Sequence, residues 1–104
     1  MVQIEKHPEG VIVVRVELFG QARLVIGRRS VEVAVSSNSG ASDLAYALAE
    51  RFPDLVGKAI REDRRGLLES YTFNLNGIEF INDHDKLDLT SNDIILLFSS
   101  QAGG

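Results

Sequence analysis

Apolar and polar side chains alternate in two segments of the first third of the chain. Apolar residues occupy every second position over residues 14–18 and again over 31–35. A period of two is typical of a strand that has one buried and one exposed face. The connecting segment carries Gly20 and Gly27 near its ends and only a short apolar patch between them. We therefore expect the two strands to pair as a wide hairpin.

The middle of the chain predicts one main helix. After the polar loop 36–40, apolar side chains recur at helical spacing over residues 44–52. Asp43 lies near the expected helix N-terminus, where a carboxylate is favoured by the helix dipole, and Pro53 ends the helix. The apolar stripe is expected to pack on a sheet rather than to bind a ligand.

The second half of the chain predicts another hairpin and a final strand. The charged segment 54–70 is expected to form a short second helix and a surface loop. Alternation over 71–75 leads into Asn76-Gly77, a strong tight-turn signal, and then into the strand 78–81. The continuous apolar run 94–98 predicts a strand that is buried on both faces.

This order of elements predicts an α+β fold in which a mixed sheet of four to five strands packs on one main helix. The strongly apolar first and last strands are expected to lie side by side in the centre of the sheet. Residues 1–104 are expected to form a single domain, with residues 1–10 as a mobile leader. Residues 99–104 are expected to project as a flexible C-terminal tail.

Composition narrows the possible functions. The chain has 104 residues, of which 44% are hydrophobic and 25% charged, as in ordinary globular domains. Its net charge of −4 would repel a phosphate backbone, so nucleic acid is not expected as a partner. The absence of cysteine excludes thiolate metal sites, cysteine nucleophiles and a persulfide on this chain. The sequence has neither a signal-peptide layout nor an apolar segment long enough to cross a membrane. We therefore expect a cytoplasmic protein with no membrane contact.

The other candidate sites have simpler interpretations. His84 lies among aspartates, but the glycine and glutamate of a calcium loop are missing, so a solvated turn and no metal site are expected. His7 has no fixed partner for base catalysis. The arginines at 28–29 and 61–65 either form a basic docking patch or are solvated faces, and the second interpretation is favoured. No phosphate-binding loop or Ser-His-Asp pattern is present, so the chain is not expected to bind ATP or to act as an enzyme alone.

Two segments resemble the MoaD/ThiS-like sulfur carriers, ubiquitin-like β-grasp proteins of molybdopterin, thiamin and related biosynthesis. Residues 14–23 are similar to the opening strand and turn of the molybdopterin synthase small subunit, including Phe19 and Arg23. Residues 93–104 align without a gap with the closing strand and diglycine tail of that family. Residues 71–76 and the charged insert before them are more similar to longer carriers, one of which serves cysteine synthesis. The family's frequent Pro-Pro after the last strand is Ser99-Ser100 here, which implies a looser tail.

The resemblance implies a function for the tail. An adenylating E1-like partner that uses ATP would activate the terminal carboxylate of Gly104, the catalytic group. Sulfur from a persulfide enzyme would convert it into a thiocarboxylate for a sulfur-accepting synthase, and this chain itself would bind no cofactor. The resemblance also implies partner-binding residues, which are Phe98, Ala102, Gly103 and Gly104. Two alternatives remain: a ubiquitin-like modifier conjugated to lysines through Gly104, and an interaction domain whose terminus is inert.

Overall fold

A computed structural model describes residues 10–82 and 85–99 of the chain. These residues form one five-stranded sheet, two α-helices and a short 3-10 turn. The strands are β1 (Val11–Leu18), β2 (Ser30–Ser36), β3 (Tyr71–Leu75), β4 (Glu79–Phe80) and β5 (Ile94–Ser99). The helices are α1 (Gln21–Ile26) and α2 (Ala41–Arg51), and the 3-10 turn is Pro53–Leu55. Most of the expected leader and the last five residues lie outside the described part.

The sheet is mixed, with the order β2-β1-β5-β3-β4. β1 and β2 pair in antiparallel fashion, with Val11 opposite Ser36. β1 and β5 lie side by side and parallel in the centre, with Leu18 opposite Leu97. β3 joins the other side of β5 in antiparallel fashion and is followed by the short edge strand β4. The predicted α+β fold, with its first and last strands adjacent, is therefore confirmed.

The core lies between one face of the sheet and α2. Fully buried side chains occur at every second position of the two central strands, as the period of two requires: Val14, Val16 and Leu18 in β1, and Ile95 and Leu97 in β5. α2 covers them with Leu44 and Leu48, which are also fully buried. The helix begins after Gly40, whose backbone N–H donates to Asp43 Oδ2 at 2.9 Å, and it ends before Pro53. The predicted main helix and its apolar stripe are thus confirmed.

The last strand differs from its prediction because it is buried on one face only. Ile95 and Leu97 are fully buried, whereas Ile94, Leu96 and Phe98 are half-buried. No second layer covers that face of the sheet within residues 10–82 and 85–99. The continuous apolar run therefore encodes a core face and a partly exposed apolar face, and the expectation of burial on both faces was wrong.

Three connections also differ from expectation. The first hairpin contains the six-residue helix α1, which buries Ala22 and ends at Gly27 in the left-handed conformation (φ 80°). In the segment 54–70 the expected second helix is reduced to the 3-10 turn, and an irregular chain follows. β5 extends through Ser99, which lies opposite Tyr71, so the strand includes the first residue of the segment expected to be the tail.

Candidate functional site

Three phenylalanines form an aromatic surface on the face of the sheet that points away from the core. We call Phe19, Phe80 and Phe98 the aromatic surface. Phe98 is central: its ring centroid lies 6.3 Å from that of Phe19 and 6.0 Å from that of Phe80. Its neighbour Leu97 points into the core, so the strand alternation places Phe98 on the open face. Phe98 is also one residue before the end of β5, where the chain continues towards Gly104.

The backbone and an arginine hold Phe19 in place. The N–H of Phe19 donates to the Leu97 carbonyl at 3.0 Å and continues the pairing of the central strands by one residue. The guanidinium carbon of Arg23 lies 5.0 Å from the centroid of the Phe19 ring, within the range of a cation–π contact. Arg23 Nε also donates to the carbonyl of Leu18 at 2.8 Å, which fixes its orientation. Phe19 and Arg23, which carried part of the family resemblance, thus belong to one structural unit.

The second hairpin supplies Phe80. Asn76 and Gly77 both have positive φ values, 59° and 74°, and the Ile78 N–H donates to the Leu75 carbonyl, so the predicted tight turn is confirmed. The turn directs β4 back along β3 and places Phe80 over the open face. The planes of the Phe80 and Phe98 rings are 22° apart, and Phe80 remains 60% exposed. A large exposed ring next to two other aromatic side chains is typical of a protein-binding surface.

A buried amide lies within the same face of the sheet. Asn74 is only 6% exposed and lies opposite Leu96 on one side and Phe80 on the other. Its Oδ1 atom is buried and accepts no hydrogen bond within residues 10–82 and 85–99. An acceptor in this state costs about 1–3 kcal/mol of stability. Next to the aromatic surface, the open face therefore contains a buried acceptor that has no hydrogen-bond partner among the described residues.

A second asparagine joins the hairpin turn to the start of β5. Asn76 Nδ2 donates to Asp93 Oδ1 at 2.9 Å, and the Ile94 N–H donates to Asn76 Oδ1 at 2.7 Å. The Thr90 N–H also donates to the Asp93 carboxylate, at 2.8 Å. The hydrogen bond from Asn76, followed by that from Thr90, lowers the pKa of Asp93 below its ordinary value. These bonds fix where β5 begins and so where its last residues meet the aromatic surface.

The predicted site residues divide into two groups. Phe98 is at the centre of the aromatic surface, whereas Ala102, Gly103 and Gly104 lie outside the described residues. Phe80 and Asn74 were not predicted, because the sheet brings them next to Phe98 from a different hairpin. The sequence itself carries no signal for Phe80, because Phe80 alternates with Ile78 as a core residue would, and only the structure shows that both are exposed.

The remaining candidates do not form a second site. His84 and Asp83 lie outside the described part, and within that part no group of three or more metal-ligating side chains occurs. In the charged insert, Arg61 pairs with Asp63 at 2.9 Å, and this contact lowers the pKa of the Asp63 carboxyl. Arg64 likewise pairs with Glu50 at 2.7 Å, so this cluster is the balanced surface that was expected. None of the described helices is long and apolar enough to cross a bilayer.

Comparison with known proteins identifies the fold. The sequence matches no family model and no curated protein. Small archaeal modifier protein 1 of Haloferax volcanii superimposes with a TM-score of 0.71 and 25% identity, over 88% of this chain and 99% of that one. The protein of the same name from Methanosarcina acetivorans gives 0.68 and 20%, over 90% and 98%. A protein described as subunit 1 of a molybdopterin converting factor from Pyrococcus furiosus gives 0.63 and 17%, over 85% and 97%.

The fold is therefore the ubiquitin-like β-grasp, with a mixed five-stranded sheet on one main helix. Its structural neighbours are small modifier proteins and a molybdopterin converting factor subunit. The resemblance to MoaD/ThiS-like proteins, first seen in residues 14–23 and 93–104, is confirmed by these neighbours.

Proposed function

We propose that this chain is a sulfur carrier whose reactive group is the terminal carboxylate of Gly104. The observation that supports this proposal best is the aromatic surface, whose central ring is six residues from the C-terminus. A partner enzyme would bind the folded domain at the aromatic surface. The segment 100–104 supplies up to about 17 Å of chain to reach into the active site of that partner.

The chemistry requires partner enzymes because a carboxylate is a poor acyl donor. Oxygen of the Gly104 carboxylate attacks the α-phosphate of ATP bound by an adenylating enzyme, which forms an acyl-adenylate and releases pyrophosphate. The terminal sulfur of a partner's persulfide then attacks the acyl carbon and expels AMP. A partner thiol cleaves the resulting acyl disulfide, which leaves the thiocarboxylate on Gly104 and a disulfide on the partner. The thiocarboxylate is a soft nucleophile that a sulfur-accepting synthase uses.

The residue types of the tail suit this role. Gly103 and Gly104 have no Cβ, so they fit a narrow channel and allow enzyme groups to approach both sides of the acyl carbon. ATP belongs to the partner in this scheme, and this chain binds no cofactor and has no turnover of its own. The proposed location is cytoplasmic, where ATP and reduced thiols are available.

A second candidate function is protein modification through Gly104. Its support is that two of the structural neighbours are named modifier proteins. The activation step is the same, and only the acceptor differs: a lysine amine attacks the activated acyl carbon and forms an isopeptide bond. The tail lacks the arginine that ubiquitin carries before its glycines, which favours the carrier.

Mass spectrometry of the protein from its native host distinguishes these functions. The carrier predicts a fraction of molecules in which sulfur replaces one oxygen of the Gly104 carboxylate. The modifier predicts branched peptides in which the terminal glycines are attached to lysines of other proteins. If every sample contains only the unmodified carboxylate and no branched peptide, both proposals are wrong and the chain is an interaction domain with an inert end.

A deletion tests the role of Gly104 directly. Removal of Gly104 is expected to abolish ATP–pyrophosphate exchange by the adenylating enzyme of the same host, because the acyl carbon is displaced by one residue. Substitution of Ser100 by alanine, which keeps the length of the tail, is the control and should retain exchange. Both variants should unfold at the same denaturant concentration as the parent, since the changes lie beyond β5. Normal exchange by the deletion variant would refute the assignment.

A further inference from the structure

One group of arginines has no acidic partner, although the chain as a whole is acidic. Arg15, Arg61, Arg64 and Lys86 each pair with a carboxylate. By contrast, Arg28, Arg29 and Arg51 form no ion pair with any residue in the ranges 10–82 and 85–99. These three lie in the turn before β2 and at the last position of α2. Arg28 and Arg29 are exposed, as expected for a solvated face, but no carboxylate among the described residues pairs with them.

The fold brings two of these arginines together on one aromatic ring. The guanidinium carbon of Arg28 lies 5.8 Å from the centroid of the Phe52 ring, and that of Arg51 lies 5.5 Å from it. Both contacts are within the range of cation–π interactions. Phe52 is half-buried against the core, so it provides a firm base for two long side chains that would otherwise be mobile. Both guanidinium groups therefore pack on the same aromatic ring.

Arg28 and Arg51 also line one shallow cleft. Arg15 and Ser30 contribute to the same cleft, which has a volume of about 270 Å³. Glu32 is the only carboxylate among the described residues that line it. Arg15 is drawn towards Glu17, at 3.7 Å, so Arg28 and Arg51 are the cations in the cleft that are free to bind an added anion. We call this cleft the basic cleft.

The basic cleft lies at the end of the sheet from which the C-terminal segment departs. The Leu18 N–H donates to the Arg29 carbonyl at 2.8 Å, and the next N–H, of Phe19, donates to Leu97. The turn that carries Arg28 is therefore level with the last residues of β5. In the sheet order it lies beyond β1, on the β2 side, whereas Phe80 lies beyond β3 on the other side. A partner that covers this end of the sheet meets aromatic side chains on one side and the basic cleft on the other.

From this geometry we infer that the basic cleft binds an Asp- or Glu-rich segment of a partner protein. A guanidinium presents two parallel N–H donors that match a carboxylate, and the basic cleft is lined by two such groups, Arg28 and Arg51, that form no ion pair among the described residues. The net charge of −4 and Glu32 within the cleft oppose binding of a dense phosphate backbone. The net acidic charge of the chain disfavours an acidic partner on most of the surface, so the cleft favours one docking orientation. This inference does not depend on the chemistry of Gly104.

A titration of isotopically labelled full-length protein tests the assignment. The probe is an N-acetylated hexaglutamate peptide at low salt, and hexaglutamine is the uncharged reference. We expect saturable chemical-shift changes at the side-chain Nε–Hε groups of Arg28 and Arg51. The variant Arg28→Gln/Arg51→Gln should bind about five- to tenfold more weakly, as expected for the loss of two exposed charge contacts. The control Lys58→Gln/Arg65→Gln removes the same charge from the segment 54–70, outside the basic cleft, and should keep the affinity within about twofold.

Three results would overturn the inference. Equal weakening in the two double variants would show that the peptide responds only to net charge. The absence of saturable shifts at Arg28 and Arg51 would show that the cleft does not bind carboxylates. Tighter binding of a single-stranded oligonucleotide with the same number of charges, at the same salt concentration, would assign the cleft to phosphates instead.

Discussion

The ring of Phe80 stacks on the ring of Phe98, with centroids 6.0 Å apart and planes at 22°. This contact joins the exposed edge strand β4 to the last residues of β5, just before the C-terminal segment. Neither ring contributes to the core, and Phe80 remains largely exposed. An aromatic pair at such a position is stabilised by about 0.5–1.5 kcal/mol, which is small compared with its potential contribution to binding. We therefore propose that the pair serves to dock a partner.

Substitution of Phe80 by alanine should separate docking from stability. Because Phe80 is 60% exposed, we expect the free energy of unfolding to fall by no more than about 1.5 kcal/mol. The protein concentration needed for half-maximal ATP–pyrophosphate exchange by the host's adenylating enzyme should rise at least tenfold, as for an interface hot spot, roughly 1.4 kcal/mol or more. Ile78→Ala, at a nearby position that is 82% exposed, is the matched control and should change neither quantity much. Equal behaviour of the two variants in the exchange assay would show that Phe80 does not dock the partner.

Asn74 should lower the stability of the free protein relative to an apolar residue at the same position. Replacement by leucine removes a buried acceptor that has no partner and keeps a similar volume next to Leu96 and Phe80. We expect the free energy of unfolding, measured in urea, to rise by about 1 kcal/mol. Asn92→Leu, at an exposed turn position, should leave it nearly unchanged. A clear loss of stability in Asn74→Leu would show that the Asn74 amide has a partner in solution.

The sequence predicted most of the fold because the main elements have strong periodicity. Both hairpins, the helix α2 and the parallel pair of central strands follow from alternation and from one turn signal, Asn76-Gly77. The helix α1 was missed because its six residues are too few for a helical period to emerge, and glycines flank them. The second predicted helix failed because charge-rich composition alone does not bury a face: Leu55 is buried from the 3-10 turn and Ile60 from the irregular chain after it.

The candidate site was less predictable because it depends on contacts between distant segments. Phe98 was found through the family resemblance, whereas its neighbours Phe80 and Asn74 reach it only through strand pairing. The same reason applies to the basic cleft: Arg28 and Arg51 are far apart in sequence and meet only on Phe52. Sequence reasoning can locate charges and rings, but pairing between strands decides which of them share a surface.

Asp93 should make stability depend on acid pH. Its hydrogen bonds from Asn76 and the Thr90 backbone lower its pKa in the folded state below the ordinary value of 3.8. The unfolded chain therefore binds more protons in this range, so the stabilisation is present above about pH 3.8 and is lost as the pH falls through the folded-state pKa. Asp93→Asn cannot ionise and should lose less stability than the parent between pH 7 and pH 3 in urea unfolding. Asp88→Asn is the control; a pH profile of Asp93→Asn that parallels the parent would contradict the assignment.

Gly40 should be required for stability because a larger residue does not fit at its position. A Cβ at Gly40 would collide with the backbone carbonyl oxygen of Asp85, although the φ value of −109° is open to any residue. The Asp85 oxygen has little room to move, because the Leu87 N–H donates to the Ser39 carbonyl at 3.1 Å and holds this segment against the loop before α2. We expect Gly40→Ala to lower the free energy of unfolding by about 2–4 kcal/mol, the range for overpacking and loss of backbone contacts.

Gly77 provides the comparison for Gly40 because its constraint is purely conformational. It has φ 74° with open space around the Cβ position, so Gly77→Ala should cost only about 1–2 kcal/mol, the penalty of the left-handed conformation. Urea unfolding of both variants against the parent measures the two costs. If Gly40→Ala were no more destabilising than Gly77→Ala, the segment around Asp85 would have to yield easily. In that case the close contact between Gly40 and the Asp85 carbonyl would not help to hold the connection from Phe80 to β5 in place.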